Sequence, residues 1–108
     1  MSQKGEVFYN NRFAGIIEKT DRGEYVFTYD NDYYTDALSE NISISLPKNK
    51  KVYYSKFLFP FFFGLLSEGT NKEKQCRLLK IDENDNFTRL IKTVDADAIG
   101  PVTIRECT

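Results

Sequence analysis

Five carboxylates in the C-terminal third of the chain are of the type that performs general acid–base chemistry: Asp82, Glu83, Asp85, Asp95 and Asp97. They flank predicted helix ends, where acidic side chains favour the positive N-terminus and solvate loops. The chain has no histidine, the commonest general base, and no glycine-rich phosphate-binding motif. The sequence therefore predicts neither an enzyme nor a bound cofactor.

A second set of carboxylates, Asp30, Asp32 and Asp36, superficially resembles a calcium-binding loop. An EF-hand loop needs a glycine at its sixth position and a glutamate at its twelfth. Counted from Asp30, these positions hold Thr35 and Asn41, so the pattern fails. We expect this segment to be a polar loop without a metal.

The only cysteines, Cys76 and Cys107, are far apart in the sequence and lack zinc-site spacing. Residues 1–10 contain no apolar stretch of the kind that a secretory signal requires. We therefore expect free thiols and a cytoplasmic protein. The net charge of −1 also argues against a strongly basic, nucleic-acid-binding domain.

One local segment nevertheless combines cations with aromatic rings, as single-stranded nucleic-acid platforms do. Its residues are Lys48, Lys50, Lys51, Tyr53, Tyr54 and Lys56. A nucleic-acid-binding module built on these residues is the alternative function, and a solvated loop with inward-pointing rings is the structural alternative.

Strands are predicted first along the chain. Asn10 and Asn11 tolerate positive φ, and they predict a hairpin turn between strands at 6–9 and 13–18. A turn at 20–23 leads to an alternating strand at 25–29. Residues 42–46 alternate between aliphatic side chains and serines, and a strand is predicted there, with a solvated loop at 48–51.

From Tyr54 onward the periodicity becomes helical, and the Phe-rich segment 57–69 is the most apolar stretch. Its inner face is predicted to carry Phe59, Phe62, Phe63 and Leu66, with Pro60 in the first turn and Gly69 as the C-terminal cap. The stretch is too short to cross a bilayer. It is either the central core helix or a helix with one face exposed for protein binding.

Two further helices and a closing strand follow. A capping box of Thr70 and Glu73 predicts a second helix, which runs to about Lys80 with Cys76 and Leu79 inside. A third helix is capped by Asn84 or Asp85 and has an apolar face of Phe87, Leu90, Ile91 and Val94. Residues 99–104 return to strand character. The prediction is a single α+β domain, 1–108, with about three helices on one side of a mainly antiparallel sheet.

Several segments, taken in order, resemble the N-terminal subdomain of HipA-type kinases. They are Tyr-Asn-Asn-Arg-Phe-Ala-Gly at 9–15, Phe-Thr-Tyr at 27–29, Ser-Ile-Ser-Leu-Pro at 43–47, Phe-Phe-Gly-Leu-Leu-Ser-Glu-Gly at 62–69, Asp-Asn-Phe-Thr-Arg-Leu at 85–90 and Ile-Gly-Pro-Val at 99–102. Ser67 replaces the family's usual proline, and Lys72 replaces a frequent arginine, keeping the charge but losing the bidentate fork.

The kinase signature motifs are absent from these 108 residues. The resemblance therefore implies a standalone, HipS-like subunit of a HipBST-type toxin–antitoxin system. Such a subunit would bind and restrain a HipT-like Ser/Thr kinase, and a HipB-like helix-turn-helix protein would complete the complex. We expect no direct contact with nucleic acid, membrane or small-molecule substrate. The partner-binding residues are expected to be Phe61, Leu65, Ser67, Glu68, Gly69, Thr70 and Lys72.

Overall fold

The computed structural model describes residues 3–66, 73–74, 76–78, 80–82, 84–97 and 101–106. Its strands are β1 Gln3–Tyr9, β2 Arg12–Lys19, β3 Tyr25–Tyr29, β4 Val52–Ser55 and β5 Val102–Glu106. Its helices are α1 Asn31–Thr35, α2 Pro60–Phe63 and α3 Asn86–Asp97. Residues 73–74 and 76–78 are also helical.

The strands form one antiparallel sheet in the order β4-β3-β2-β1-β5. The last strand pairs with the first, so that Ile104 lies opposite Val7. Side chains that alternate along the strands point to one buried face, where Phe27 contacts Phe62 of α2 at 5.7 Å between ring centroids. Gly5 on the same face lies against Ile91 of α3. The predicted α+β architecture with helices on one side of an antiparallel sheet is confirmed.

The first hairpin forms as predicted from its two asparagines. Asn10 and Asn11 have φ values of 50° and 68°, as a tight two-residue turn requires. The register shifts between Val7 and Phe8, which places a bulge in the hairpin. Beyond this bulge Gly15 lies so close to β3 that a Cβ atom there would overlap the carbonyl oxygen of Thr28.

The third predicted helix and the start of its apolar face are also confirmed. The side chain of Asp85 accepts hydrogen bonds from the backbone N–H of Thr88 at 3.1 Å and from its hydroxyl at 2.7 Å, which caps α3. Phe87, Leu90 and Ile91 are buried. Before α3, Lys80 lies in a turn with a φ of 56°, and the Ile81 N–H donates to the carbonyl of Cys76.

The prediction of a polar loop after β3 is wrong, because residues 31–35 form α1. Asp30 is its N-cap, and its carboxylate accepts from the Tyr33 N–H at 3.4 Å. The ring of Tyr33 is buried and stacks nearly parallel to Tyr29, with centroids 6.0 Å apart. Burial of this ring stabilises a helical turn that the acidic composition obscured.

The predicted strand at 42–46 is also wrong, and the segment is a turn. Ile42 and Leu46 are buried, but Ile44 between them is 98% exposed. The buried hydroxyl of Tyr29 accepts from the Ile42 N–H at 3.2 Å and donates to the carbonyl of Leu46. A third hydrogen bond, from the Leu46 N–H to the carbonyl of Ser43, closes the turn. The side chains of Ile42 and Leu46 are therefore buried in the core although the segment pairs with no strand.

The chain forms an unpredicted strand, β4, and a shorter helix than the predicted one at 57–66. Val26 pairs with Tyr54 in β4, which continues the sheet where helical character was expected. The helix α2 begins at Pro60, as predicted for its first turn, and is capped by Gly64. The predicted cap Gly69 and the capping-box residue Thr70 lie outside the described residues, as does residue 99 at the start of the predicted last strand.

We expect Gly15→Ala to destabilise the protein by about 1–3 kcal/mol, because the added methyl group would press against a backbone carbonyl that cannot rotate away. The matched variant is Gly64→Ala. Gly64 has φ −66° and its nearest neighbours are 3.5 Å from a built Cβ, so alanine fits. Urea unfolding should place Gly64→Ala at or above the wild-type stability. Equal stability of the two variants would contradict the close approach of Gly15 to β3.

Replacing Tyr29 by Phe is expected to lower the free energy of unfolding by about 1–3 kcal/mol, because it leaves buried backbone groups of Ile42 and Leu46 unpaired. The control is Tyr54→Phe, because Tyr54 is 75% exposed. This control should unfold at the wild-type urea concentration. Wild-type stability of Tyr29→Phe would show that the hydroxyl does not hold the 42–46 turn.

Candidate protein-binding site

The Phe-rich segment presents two sides because α2 turns by about 100° per residue. Phe59, Phe62 and Leu66 of the predicted inner face are buried. Phe63, predicted to lie on that same face, is 46% exposed, and Phe57 before the helix is 78% exposed. The segment therefore both fills the core and leaves aromatic surface in solvent, which combines the two interpretations of its sequence.

Two of the seven residues expected to bind a partner lie in the described part of the chain. Phe61 and Leu65 are half-buried and pack against the core cluster. The ring of Phe61 meets Phe62 edge-on, with centroids 5.2 Å apart. The other five, Ser67, Glu68, Gly69, Thr70 and Lys72, lie outside the described residues. The position of Phe61 and Leu65 leaves part of each side chain available for a further contact.

The lysine–tyrosine segment does not come together as a platform for nucleic acid. The Lys48 ammonium donates to the backbone oxygens of Asp36 at 2.6 Å and Ser39 at 3.0 Å. Tyr53 and Tyr54 point to opposite sides of β4 because adjacent strand residues alternate. The Tyr53 hydroxyl donates to the carbonyl of Pro47 at 2.6 Å, so only Tyr54 offers an exposed ring.

The remaining lysines of that segment are also dispersed. The ammonium of Lys50 lies over the ring of Tyr53, 5.3 Å from its centroid. Lys51 is half-buried just before β4, and Lys56 is exposed just beyond its other end. A strand thus separates cations that the sequence places close together, and they form no continuous track for a phosphate backbone.

A cluster that sequence reasoning missed joins the hairpin turn to α1. Arg12 donates to the carboxylate of Asp36 at 2.7 Å and lies over the ring of Tyr33, 5.1 Å from its centroid. The Tyr33 hydroxyl donates to the carbonyl of Glu40, whose carboxylate accepts from Tyr9, each at 2.6 Å. All of these residues except Asp36 line a cleft of about 330 Å³. Because its hydrogen bonds join the hairpin turn to α1 and to the residues that follow it, the cluster is suited to fixing the loop.

The electrostatics of the cluster agree with this structural role. The hydrogen bond from Arg12, followed by the backbone N–H of Leu38, holds the pKa of Asp36 below its ordinary value of 3.8. Burial raises the pKa of Tyr33, and the hydrogen bond to Glu40 raises that of Tyr9. In the core, burial raises the pKa of Tyr29 to about 12. The tyrosines are thus held in the neutral, donating form.

Within the described ranges, no group of three or more acidic or cysteine side chains is placed to hold a metal ion. Cys76 is buried with a free thiol, and Cys107 lies outside these ranges. No helix in the described part of the chain has the length and apolarity that crossing a membrane requires.

The fold and its surface define a small antiparallel α+β domain that leaves aromatic side chains in solvent. A protein-family model for the HipA N-terminal domain matches residues 5–105. A solved structure of the N-terminal domain of HipA toxin is 26% identical, with a TM-score of 0.71, and the match covers 98% of this chain and 93% of that one.

An uncharacterized protein of Haemophilus influenzae is 34% identical over 104 residues, which cover 96% of this chain and 92% of that protein. The family model spans residues 5–105, which is most of the chain. The chain belongs to the HipA N-terminal domain family.

We expect Arg12→Gln to raise the pKa of Asp36 toward 3.8, because the largest cause of its depression is removed. A carboxylate with a depressed pKa stabilises the fold above its ordinary pKa, and this contribution is lost as pH falls through the folded-state pKa. The variant should therefore lose less stability than the wild type as pH falls below 3.8. Carboxyl chemical shifts and acid unfolding curves measure both effects.

The control for this prediction is Arg22→Gln. Arg22 is exposed in the turn at the opposite end of β2 from Arg12. Its replacement should leave the Asp36 titration unchanged. If the titration of Asp36 is identical in Arg12→Gln and the wild type, the ion pair is not the cause of the lowered pKa.

Proposed function

We propose that this chain is a non-catalytic cytoplasmic subunit that binds a separately encoded HipA-like Ser/Thr kinase and restrains it, as an antitoxin. The observation that supports this most is the family match over residues 5–105, since the same domain occurs in the HipA toxin. The Haemophilus relative, matched over 92% of its length, consists of little besides this domain. A domain found both within a toxin and by itself is suited to act on the toxin from a separate chain.

The proposed contact begins at the half-buried side chains of Phe61 and Leu65. Apolar side chains that are already partly packed lose little conformational freedom on binding, so they are suitable anchors. Glu68 and Lys72 would add charge complementarity, which acts mainly on partner choice and association rate. Ser67, near these residues in sequence, could be offered to the kinase as a pseudosubstrate. A HipB-like helix-turn-helix protein would complete the assembly and supply its contact with DNA.

The test is to purify this chain together with the kinase encoded beside its gene and to measure phosphate transfer by that kinase. We expect a complex at micromolar concentration and reduced phosphorylation. Leu65→Ala should weaken the complex at least about tenfold, as truncation of a central apolar anchor does. The matched control is Leu78→Ala, because the side chain of Leu78 is exposed in the segment before α3. This variant should bind the kinase as tightly as the wild type does.

The urea midpoint of each variant separates lost binding from lost folding. If the wild-type chain forms no complex with the kinase at micromolar concentration, the proposal is wrong. If a complex forms but phosphorylation is undiminished, the chain is a kinase-binding subunit without an inhibitory role.

A further inference from the structure

A second apolar surface lies beside α2, away from the cluster around Tyr33. It is a groove of about 440 Å³ at the end of the sheet where β2 ends and the chain leaves β4. Its principal lining residues are Lys19, Tyr25, Lys56, Phe57, Leu58 and Phe63, and we call it the Phe57 groove. None of these is among the seven residues expected to bind a partner.

The floor and one wall of the Phe57 groove are fixed by contacts within the fold. The ring of Tyr25 packs against the buried Phe87, with centroids 5.8 Å apart. Lys19 lies directly opposite Tyr25 in the register of the sheet. The backbone N–H of Phe57 donates to the Ser55 hydroxyl at 3.1 Å, which anchors the chain where the exposed Phe57 ring begins. The groove is therefore preformed, which lowers the entropic cost of binding.

The charge at the rim of the groove has one sign. Lys19 and Lys56 both line it, and its lining contains no acidic side chain. Among the described residues, neither ammonium group has a carboxylate partner. A preformed apolar groove with two unmatched ammonium groups is complementary to an apolar side chain that has a carboxylate nearby.

We propose that the Phe57 groove binds a segment of the partner kinase in which an apolar side chain adjoins one or two acidic residues. This rests on the proposed function, and it adds a second contact to that of Phe61 and Leu65. Two lysines are few for a nucleic-acid strand, which needs a track of cations along its phosphates. The chemistry of the groove therefore favours a peptide segment.

A second copy of this chain offers a less suitable occupant. Among the described residues, its best candidate is the loop around Leu38, which is 92% exposed between Asp36 and Glu40. Both carboxylates are already bound within the fold, to Arg12 and to Tyr9 respectively. Docking this loop into the groove would require breaking those interactions, whereas a partner segment with unpaired carboxylates would not.

The first test compares two double charge reversals for binding to the purified kinase. Lys19→Glu/Lys56→Glu is expected to bind at least about tenfold more weakly than the wild type. The matched control is Lys50→Glu/Lys51→Glu, which makes the same change in net charge at the other end of β4. It should bind within about twofold of the wild type. The exposed Phe57→Ala variant should also bind at least about tenfold more weakly while unfolding like the wild type.

The outcomes distinguish this inference from the proposed function. If the wild-type chain does not bind the kinase, the proposed function fails and the inference with it. If the wild type binds the kinase, and Lys19→Glu/Lys56→Glu and Phe57→Ala bind it as tightly as the wild type does, only the assignment of the groove is overturned.

The second test uses an array of peptides that tiles the kinase sequence. Peptides that bind the wild-type chain, but not Lys19→Glu/Lys56→Glu, are expected to contain Asp or Glu close to an apolar residue. Three results would overturn the inference: groove-dependent peptides without acidic residues, self-association of this chain that the same variant abolishes, or groove-dependent binding of a single-stranded oligonucleotide in preference to every peptide.

Discussion

The buried hydroxyl of Tyr29 is the interaction that fixes the course of the chain between β3 and β4. It accepts from the Ile42 N–H and donates to the carbonyl of Leu46, and its ring stacks against Tyr33. An alternative path would leave these buried polar groups unpaired, at a cost of about 1–3 kcal/mol for each group. This loop determines where β4 begins, and β4 in turn determines how the Phe-rich segment meets the core.

Elements defined by local chemistry could be predicted from the sequence, and elements defined by distant partners could not. The hairpin follows from Asn10 and Asn11, and α3 from the cap at Asp85 and its apolar periodicity. The alternation around Ile44 predicts a strand, but a turn closed by a tyrosine 15 residues earlier also buries its two ends. The strand β4 is short and forms because β3 supplies a sheet edge, which no local pattern reveals.

The candidate site shows the same division. The apolar excess of the Phe-rich segment predicts either a core helix or a helix with one face exposed for protein binding, and the rings of Phe57 and Phe63 are exposed. The pairing of Lys19 with Lys56 at one groove could not be predicted, since antiparallel strand pairing alone brings them together. Their separation in sequence conceals a local charge that the net charge of −1 does not indicate.

The two proposed contacts lie on opposite flanks of one short helix. In α2 the buried Phe62 stands between Phe61 on one side and Phe63 on the other, and each is about 100° away around the helix axis. A partner that contacts both the Phe61 side and the Phe63 side of α2 must therefore surround the helix on two sides rather than pack against one face of it. Two such contacts on one rigid element act at high effective concentration, so each can be weak alone while the assembled complex is tight. Phe62 packs against Phe27 in the core, and this contact fixes the orientation of α2 and therefore the positions of Phe61 and Phe63.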